Sequence, residues 1–313
     1  MPSHKKIDLS KIRTYSFNER ATKSGVESFA KVPSSDWHID DYLNGLPKSL
    51  KAIELLGLIE DIRKAQANNK AIILMMGAHS IKVGLSPIII DMLNCGFISH
   101  LALNGAGIIH DYEFAFHGRS SEEVAETIES GMFGMVKETP EFLNSAIAKA
   151  PPEAGLGESA GNAFLNGQAI HIDYSIAAAA VRNQIPLTVH ISIGADTVIQ
   201  HPSFDAAKWG KLSGNDFLIL AESCKNLNDG GVVINVGSAV VLPEVFLKAL
   251  NVARNIYGNI ANFSAANLDM IQHYRPLTNV VSRPTLAGGK RYTITGHFEI
   301  IIPLIAWALK EKV

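Results

Sequence analysis

Short apolar runs alternate with longer segments of helical periodicity from about residue 71 to the end of the chain. The run AIILMMG at 71–77 predicts a buried strand, and 80–95 predicts a helix that ends before Gly96. Strand, glycine turn and helix follow one another again in GGVVINVGSAVVLPEVFLKALNV at 230–252. Such alternation is typical of βαβ units, in which crossover helices join parallel strands. It predicts an α/β fold with a mainly parallel sheet flanked by helices.

The other elements follow from the same two patterns. Further strands are predicted at 97–107, 185–194, 262–271 and 279–281. Helices are predicted where apolar residues recur at spacings of three and four, namely two within 37–69, then 111–117, 120–130, 135–149, 174–183, 216–227 and 296–310.

No linker interrupts this alternation, so residues 37–313 are expected to form a single domain. Residues 1–36 mix Lys, Ser, Arg and Pro with little periodicity. They are predicted to be an extended arm that becomes ordered only by lying on another surface, such as a neighbouring subunit.

Charge and cysteine content exclude several classes of function. The chain has 28 Lys and Arg against 30 Asp and Glu, so it offers no general attraction to nucleic acid or to anionic lipid. No apolar run reaches membrane-spanning length without polar interruption. Cys95 and Cys224 are too far apart in sequence for a CxxC site, which fits a reducing, cytoplasmic setting. A soluble protein with a small-molecule partner is expected.

Glycine-containing turns follow three of the predicted strands. In parallel sheets, ligands bind beyond the carboxyl ends of the strands, where helix N-termini direct free N–H groups inward. The small residues would let peptide amides hold a phosphate, although they also satisfy backbone geometry alone. None of the turns matches GxGxxG or the P-loop pattern. The three turns are Gly77-Ala78-His79-Ser80, Asn104-Gly105-Ala106-Gly107 and Gly237-Ser238-Ala239.

His110 and Asp111 come directly after the second turn. A histidine and a carboxylate at a strand end can bind a metal, exchange protons or hold a ligand hydroxyl or amine. Asp111 is equally suited to capping the helix that runs to Phe116.

A second histidine and carboxylate pair accompanies the strand at 185–194. His190 lies within it, where a histidine is more often a hydrogen-bonded core residue than a ligand. Asp196 follows the strand beside Gly194 and is the better functional candidate, and His201 lies in a loop beyond it. The eleven histidines form no HxxxH or HxH pair, so a metal site is not expected.

The stretch 273–304 is unusually polar for its place between apolar strands. Lys290 lies in a glycine turn. Burial there would favour the uncharged amine, which can act as a nucleophile. His297, with Glu299 two residues on, would face the same crevice if a strand ends there. The cations can form one wall of a pocket for phosphate or carboxylate, or belong to a solvated loop; they are Arg275, Arg283, Lys290, Arg291 and His297.

The order of these motifs resembles the deoxyhypusine synthase family over roughly residues 70 to 300. NGAGIIHD at 104–111 is similar to the family's TAGGVEED turn, and IPLTVHISIGAD at 185–196 to its IPVFSPALTDGS stretch. INVGSAVVLP at 234–243 resembles ILGGGVVKHH, and RPTLAGGK at 283–290 resembles RPDEAVSWGK with two residues deleted. IPLI at 302–305 resembles the closing FPLL helix. No single match is specific, and the shared order carries the resemblance.

The resemblance implies a single Rossmann-like domain, an NAD cofactor, and a homotetramer in which the N-terminal arm reaches a neighbour's site. The family moves an aminobutyl group from spermidine to an enzyme lysine as an imine, and this role would fall to Lys290. The family's acidic polyamine-binding run is replaced by Gln272-His273-Tyr274-Arg275-Pro276, which is basic. Charge complementarity therefore argues against spermidine itself as the substrate.

The leading hypothesis is an NAD-dependent transferase or oxidoreductase acting on a small amine, amino acid or related carbonyl compound. NAD would lie over the three turns together with Asp196, and Asp111, His110 and His297 would orient substrate or move protons. One alternative is a non-catalytic protein that binds a nucleotide or small anion on the same fold. Another is a metal-dependent hydrolase that uses His110, Asp111, His190 and His201.

Overall fold

Six parallel strands form one sheet at the centre of the molecule, in a computed structural model that describes residues 3–311. The order across the sheet is β3-β2-β1-β4-β5-β6, and every neighbouring pair is parallel. The strands are β1 (Ile72–Met76), β2 (His100–Asn104), β3 (Leu187–His190), β4 (Val232–Val236), β5 (Ser264–Asp269) and β6 (Arg291–Thr295). The prediction of an α/β fold with a mainly parallel sheet is confirmed.

Helices connect the strands and cover the sheet. None of those within the described residues is long and apolar enough to cross a membrane. The α-helices are α1 (Ile39–Gly45), α2 (Leu50–Ala67), α3 (His79–Lys82), α4 (Ser86–Asn94), α5 (Gly105–His117), α6 (Val124–Thr127), α7 (Glu138–Lys149), α8 (Leu156–Asn166), α9 (Ile176–Arg182), α10 (Ala206–Cys224), α11 (Val241–Tyr257), α12 (Tyr274–Pro276) and α13 (Phe298–Lys310).

Alternate side chains of the inner strands β1, β2, β4 and β5 enter different apolar cores. Ile72, Leu74 and Met76 of β1 belong to the larger core, whereas Ile73 and Met75 belong to the smaller one. A sheet buried on both faces requires strands that are apolar throughout, which explains the continuous run at 71–77. The two cores together fix the position of every strand end.

Two predictions in the last third of the chain are wrong. The expected strand at 279–281 lies inside a π-helix, Leu277–Ser282, because Val280 and Val281 pack into the smaller core from outside the sheet. The last strand is β6 instead, in the polar stretch where none was predicted. Tyr292 and Ile294 are buried while the residues between and around them are more exposed, which is the alternation of an edge strand.

The arm predicted at 1–36 lies outside the sheet domain as far as it is described. It is extended, with one-turn 3₁₀ helices at Leu9–Lys11, Phe17–Glu19 and Val26–Ser28. Its backbone hydrogen bonds to the domain are from Lys31 N to Gly45 O and from Lys48 N to Ser28 O. Most of its large apolar side chains are exposed, namely Ile7, Leu9, Ile12, Tyr15, Phe17, Val26, Phe29 and Val32.

A buried carboxylate ties helix α2 to the last two strands. Asp61 accepts hydrogen bonds from Ser264 Oγ at 2.6 Å and from Tyr292 Oη at 2.7 Å. It also forms an ion pair with Lys290, whose Nζ lies 2.6 Å from the carboxylate. Burial opposes the charge of Asp61, but these three donors outweigh it and hold the pKa of the carboxyl below its ordinary value. Asp61 is therefore an ionised anchor at the amino ends of β5 and β6.

Replacement of this anchor is expected to destabilise the protein. Asp61→Ala leaves the hydroxyls of Ser264 and Tyr292 without their acceptor and should lower the free energy of unfolding by about 2–4 kcal/mol. Because the folded pKa is depressed, the stabilisation is present above the unfolded pKa and is lost as pH falls through the folded value. Urea unfolding at several pH values measures both effects.

Glu60→Ala is the matched control, because Glu60 is on the same helix and, among residues 3–311, pairs only with Lys64 at the surface. It should cost less than about 1 kcal/mol. Equal losses for the two variants would contradict the role assigned to Asp61.

Candidate functional site

The three glycine-containing turns lie at one edge of the sheet. They follow β1, β2 and β4, which are neighbours in the strand order and run in the same direction. The carboxyl ends of these strands consequently meet. The structure thus brings together the three turns that were singled out in the sequence.

The strand order reverses between β1 and β4, and the two backbones approach each other closely there. Gly77 N donates to Val236 O at 2.9 Å, and a Cβ atom on Gly77 would lie 2.2 Å from the carbonyl oxygen of Gly237. Gly237 has φ +64°, and a Cβ there would lie 2.7 Å from the Phe298 ring. Only glycines permit this contact. In open parallel sheets this reversal is where ligands bind.

Backbone amides are available beside this junction. Within the described residues, the N–H groups of Ser238, Ala239 and Val240 donate to no protein acceptor, and they lead directly into helix α11. Ser238 Oγ itself accepts from Leu242 N at 3.2 Å. The positive end of a 17-residue helix and these amides together favour an anion.

The other predicted turn residues at β1 lie against the closing helix. His79 begins α3, and its ring meets the Phe298 ring edge-on with centroids 5.8 Å apart. Ser80 is buried, and its hydroxyl has no hydrogen-bond partner within the protein as described.

The turn after β2 is filled by protein side chains. Gly105, Ala106 and Gly107 form the first turn of α5. Asn104 Oδ1 accepts from Gly107 N at 3.0 Å, and Asp196 accepts from Ser192 N at 2.7 Å and from Ala106 N. The amides of Ala106 and Gly107, which were expected to help hold a phosphate, are therefore engaged. Burial raises the pKa of Asp196, although both amide hydrogen bonds oppose the shift.

Asp111 is a fully buried anchor that lies outside the two cavities described below. Its carboxylate accepts from Ser175 Oγ at 2.7 Å, Ile176 N at 2.8 Å and Ala177 N at 3.0 Å. It therefore caps the start of α9, not the start of its own helix as the alternative interpretation expected. Burial raises its pKa to about 6. The prediction that Asp111 handles substrate receives no support from this position.

Two adjoining cavities lie along α5, with volumes of about 220 Å³ and 440 Å³; the smaller lies over its first turns and the larger beside its C-terminal end. Both are bounded by the segment between α5 and α7 and share Glu113, Ser121, Glu122 and Thr139. The smaller one also contacts Asp196 and Lys82, and the larger one Glu138 and Arg119. Carboxylates outnumber Lys and Arg side chains in this lining, so the cavities suit a cationic ligand.

His110 lies in the wall of the smaller cavity and belongs to a polar chain. Its Nδ1 is 2.5 Å from Ser120 Oγ, and Ser120 donates to the Glu113 carboxylate. Thr139 Oγ1 donates to the other oxygen of Glu113 at 3.1 Å. Burial disfavours the Glu113 charge, but the neighbouring His110, Ser120 and Thr139 outweigh burial and lower its pKa.

Sequence reasoning missed Glu113 and Ser120. Glu113 follows His110 by three residues on one helix, so the spacing placed both on one face and was a usable signal. Ser120 comes after the helix ends at Gly118, and no periodicity relates it to His110.

The structure does not bring the cations of 273–304 together at one wall. Lys290 precedes β6 and therefore lies at the amino edge of the sheet, opposite His110, where it pairs with Asp61. Arg275 pairs with Glu244 at 3.3 Å. The other two arginines bond to nearby polar groups, Arg283 to Asn279 and Arg291 to Thr285.

His297 does occupy the carboxyl edge, as expected. It precedes α13 as its N-cap residue, and its side chain is 61% exposed and 3.6 Å from Glu299. It is accessible there to a ligand lying across β4 to β6.

The residues of the metal hypothesis lie in different surroundings. His190 is buried, and its Nε2 is 3.1 Å from Thr188 Oγ1; burial lowers its pKa to about 4. His201 bonds to Ser203 in a loop. Among residues 3–311, no group of three or more His, Cys, Asp or Glu side chains is arranged to hold a metal ion.

The sequence matches no known family model, and no curated protein shows significant similarity to it. Solved structures do share its fold. A candidate deoxyhypusine synthase from Entamoeba histolytica has a TM-score of 0.51 at 10% identity, over 95% of this chain and 96% of that one. A candidate LOR/SDH protein from Methanococcus maripaludis S2 has a TM-score of 0.52 at 16% identity, over 84% of this chain and 70% of the other.

AgrE, solved with ornithine and NAD+, has a TM-score of 0.52 at 12% identity. The match covers 85% of this chain but only 34% of AgrE, so the chain spans about a third of that protein. At such identities the likeness shows a common fold. The predicted Rossmann-like, deoxyhypusine synthase-like fold is thereby confirmed.

Close packing at the start of α5 generates a stability prediction. A Cβ atom on Gly105 would lie 2.1 Å from Asp196 Oδ2, whereas nothing lies within 4 Å of a Cβ on Gly210 in α10. Gly105→Ala should therefore lower the free energy of unfolding by about 1–3 kcal/mol. Gly210→Ala should raise it by about 0.5–1 kcal/mol. Chemical denaturation measures both, and a stabilising Gly105→Ala would contradict the assigned packing of Asp196.

Proposed function

We propose that the protein is an NAD-dependent enzyme that oxidises or transfers the amino group of a small amine or amino acid. The observation that carries the proposal is the reversal of strand order between β1 and β4. Beside it, the amides of Ser238 to Val240 donate to no acceptor in the part of the chain that the structure describes. A cavity with a histidine and several carboxylates lies at the same edge.

The cofactor would span the β1–β4 junction. Its phosphates would accept from the amides of Ser238, Ala239 and Val240 at the start of α11, and the absence of side chains at Gly77 and Gly237 would let it approach the backbone. The residues present thus fit the group. Bound NAD+ would act as a hydride acceptor. Asn104 and Asp196 would border the cofactor without binding it, because their side chains already accept from the first amides of α5.

The substrate would enter the cavities over α5. Short α3 leads from the β1 turn to Lys82 in the cavity wall, so the cavity adjoins the proposed cofactor site. The smaller cavity is lined by three carboxylates, which attract a cation and repel an anion; they are Glu113, Glu122 and Asp196. This favours an ammonium group and reverses the earlier expectation of a basic pocket. The ornithine and NAD+ bound to AgrE belong to these same chemical classes.

Lys290 is left out of the proposed site. It lies at the opposite edge of the sheet in an ion pair with Asp61, so within one chain it is not placed to form an imine with a substrate held over α5. The acidic cavity also weakens the charge argument against polyamines, since that argument rested on residues 272–276.

Calorimetric titration with NAD+ tests the cofactor. Ala239→Asp should weaken NAD+ binding at least tenfold, because a carboxylate at the start of α11 would repel a phosphate held there. The same charge suits the helix N-terminus, so stability should be unchanged or slightly higher. A wild-type protein that binds neither NAD+ nor NADH would overturn the proposal.

Ala207→Asp provides the control. It adds the same charge in the first turn of α10, an exposed helix start outside the β1–β4 junction. NAD+ affinity should be retained. Equal weakening in both variants would mean that overall charge, not the α11 site, governs binding.

We also propose that the protein is a homo-oligomer in which the arm lies on a neighbouring subunit. The exposed apolar side chains of residues 7–32 find no cover on their own domain, and burying one large apolar side chain contributes about 1.5–3 kcal/mol. A tetramer is the favoured form, from the family resemblance.

Native mass spectrometry and dilution in an analytical ultracentrifuge measure the subunit number. Phe17→Ser, which removes an exposed arm aromatic, should raise the dissociation constant at least tenfold. Leu218→Ser, at a 61% exposed position on α10, serves as the control and should leave association unchanged. A wild-type protein that is monomeric at micromolar concentration would refute the assembly.

A further inference from the structure

The polar chain of Glu113, Ser120 and His110 stands apart from the other buried polar groups of the protein. Asp61, Asp111 and Asp196 each accept bonds from fixed donors and serve as anchors. The chain through Ser120 instead ends at an imidazole in a cavity wall. The side chains of His110 and Glu113 are 17% and 19% exposed, so the chain is shielded but accessible at that end.

Proton counting fixes the direction of each bond in this chain. The lowered pKa of Glu113 keeps its carboxylate ionised at neutral pH, and an ionised carboxylate can only accept. The single hydroxyl proton of Ser120 is therefore donated to Glu113. Ser120 Oγ can then only accept from His110 Nδ1, 2.5 Å away.

We propose that Ser120 and Glu113 hold neutral His110 as the Nδ1–H tautomer, so that its Nε2 is the general base that deprotonates the substrate ammonium group. Within the described structure, Nε2 of His110 has no hydrogen-bond partner, whereas Nδ1 is engaged by Ser120. His110 is the catalytic residue of this step, and Ser120 and Glu113 are positioning residues.

The step is a single proton transfer. One N–H bond of the substrate R–NH₃⁺ breaks, its proton forms a bond with His110 Nε2, and the substrate nitrogen retains the electron pair. The products are R–NH₂ and an imidazolium, which the nearby Glu113 carboxylate stabilises at 3.6 Å. Only the neutral amine has the electron pair needed to form a C=N bond when a hydride leaves the adjacent carbon. The assignment of the ammonium group as proton donor rests on the function proposed above.

Ring nitrogen spectra of ¹⁵N-histidine-labelled protein test this directly, because they distinguish the two tautomers without any substrate. At about pH 8.5, where an ordinary imidazole is neutral, His110 is expected to be predominantly Nδ1–H. Ser120→Ala removes the acceptor and should shift the tautomer ratio toward Nε2–H by about tenfold, a change of the size that one hydrogen bond supports. Ser120→Thr retains a hydroxyl and should restore the wild-type ratio.

Ser121→Ala is the matched control, because Ser121 lines the same cavities and has no hydrogen bond to His110. Its His110 spectrum should match that of the wild type. A wild-type His110 in the Nε2–H form would overturn the proposal even if no variant folds. So would a ratio that Ser120→Ala leaves unchanged.

Calorimetry with NAD+ on the same labelled sample distinguishes a failure of the tautomer assignment from a failure of the proposed NAD-dependent function. Binding of NAD+ with His110 as Nε2–H would overturn the tautomer assignment alone. An Nδ1–H imidazole in a protein that does not bind NAD+ would overturn the function, and with it the ammonium group as proton donor.

Discussion

The contact between Gly77 and Gly237 is the constraint on which the rest of the candidate site depends. A Cβ atom on Gly77 would meet the Gly237 carbonyl, and one on Gly237 would meet the Phe298 ring. The crossovers then leave β1 and β4 in opposite directions across the sheet. The reversal leaves the start of α11 facing outward with unpaired amides. Wider spacing would admit side chains, but these would stand where a ligand must approach.

The N-termini of α5 and α11 lie at the same sheet edge but differ in whether their backbone amides have acceptors within the protein. At α5, Asn104 and Asp196 satisfy the first amides, and the absence of a side chain at Gly105 makes room for the Asp196 carboxylate. At α11 the amides before the helix have no acceptor among the residues that the structure describes. An external anion therefore gains more at α11, because at α5 it would have to displace a buried carboxylate.

Charge is divided between the two edges of the sheet. At the amino edge, Lys290 neutralises Asp61 and so contributes to holding α2 on β5 and β6. At the carboxyl edge, Glu113 is kept ionised by hydroxyl groups and by His110, and no Lys or Arg within residues 3–311 pairs with it. A carboxylate stabilised in this way retains its attraction for a cation. Because Lys290 neutralises it, Asp61 serves as a structural anchor. Glu113 keeps its negative charge and can act on a bound cation.

The sequence by itself determined the fold class, five of the six strands and the sharing of one edge by three turns, because apolar periodicity and strand direction are local properties. It also singled out His110. Tertiary structure alone decided that Asp111 points into the protein to cap α9, that Lys290 lies at the far edge, and that Ser120 meets His110. It also decided that the polar run at 291–295 is a strand, which an edge position allows. These outcomes depend on which distant segments pack together, and neither spacing nor composition encodes the partner of a side chain across the fold.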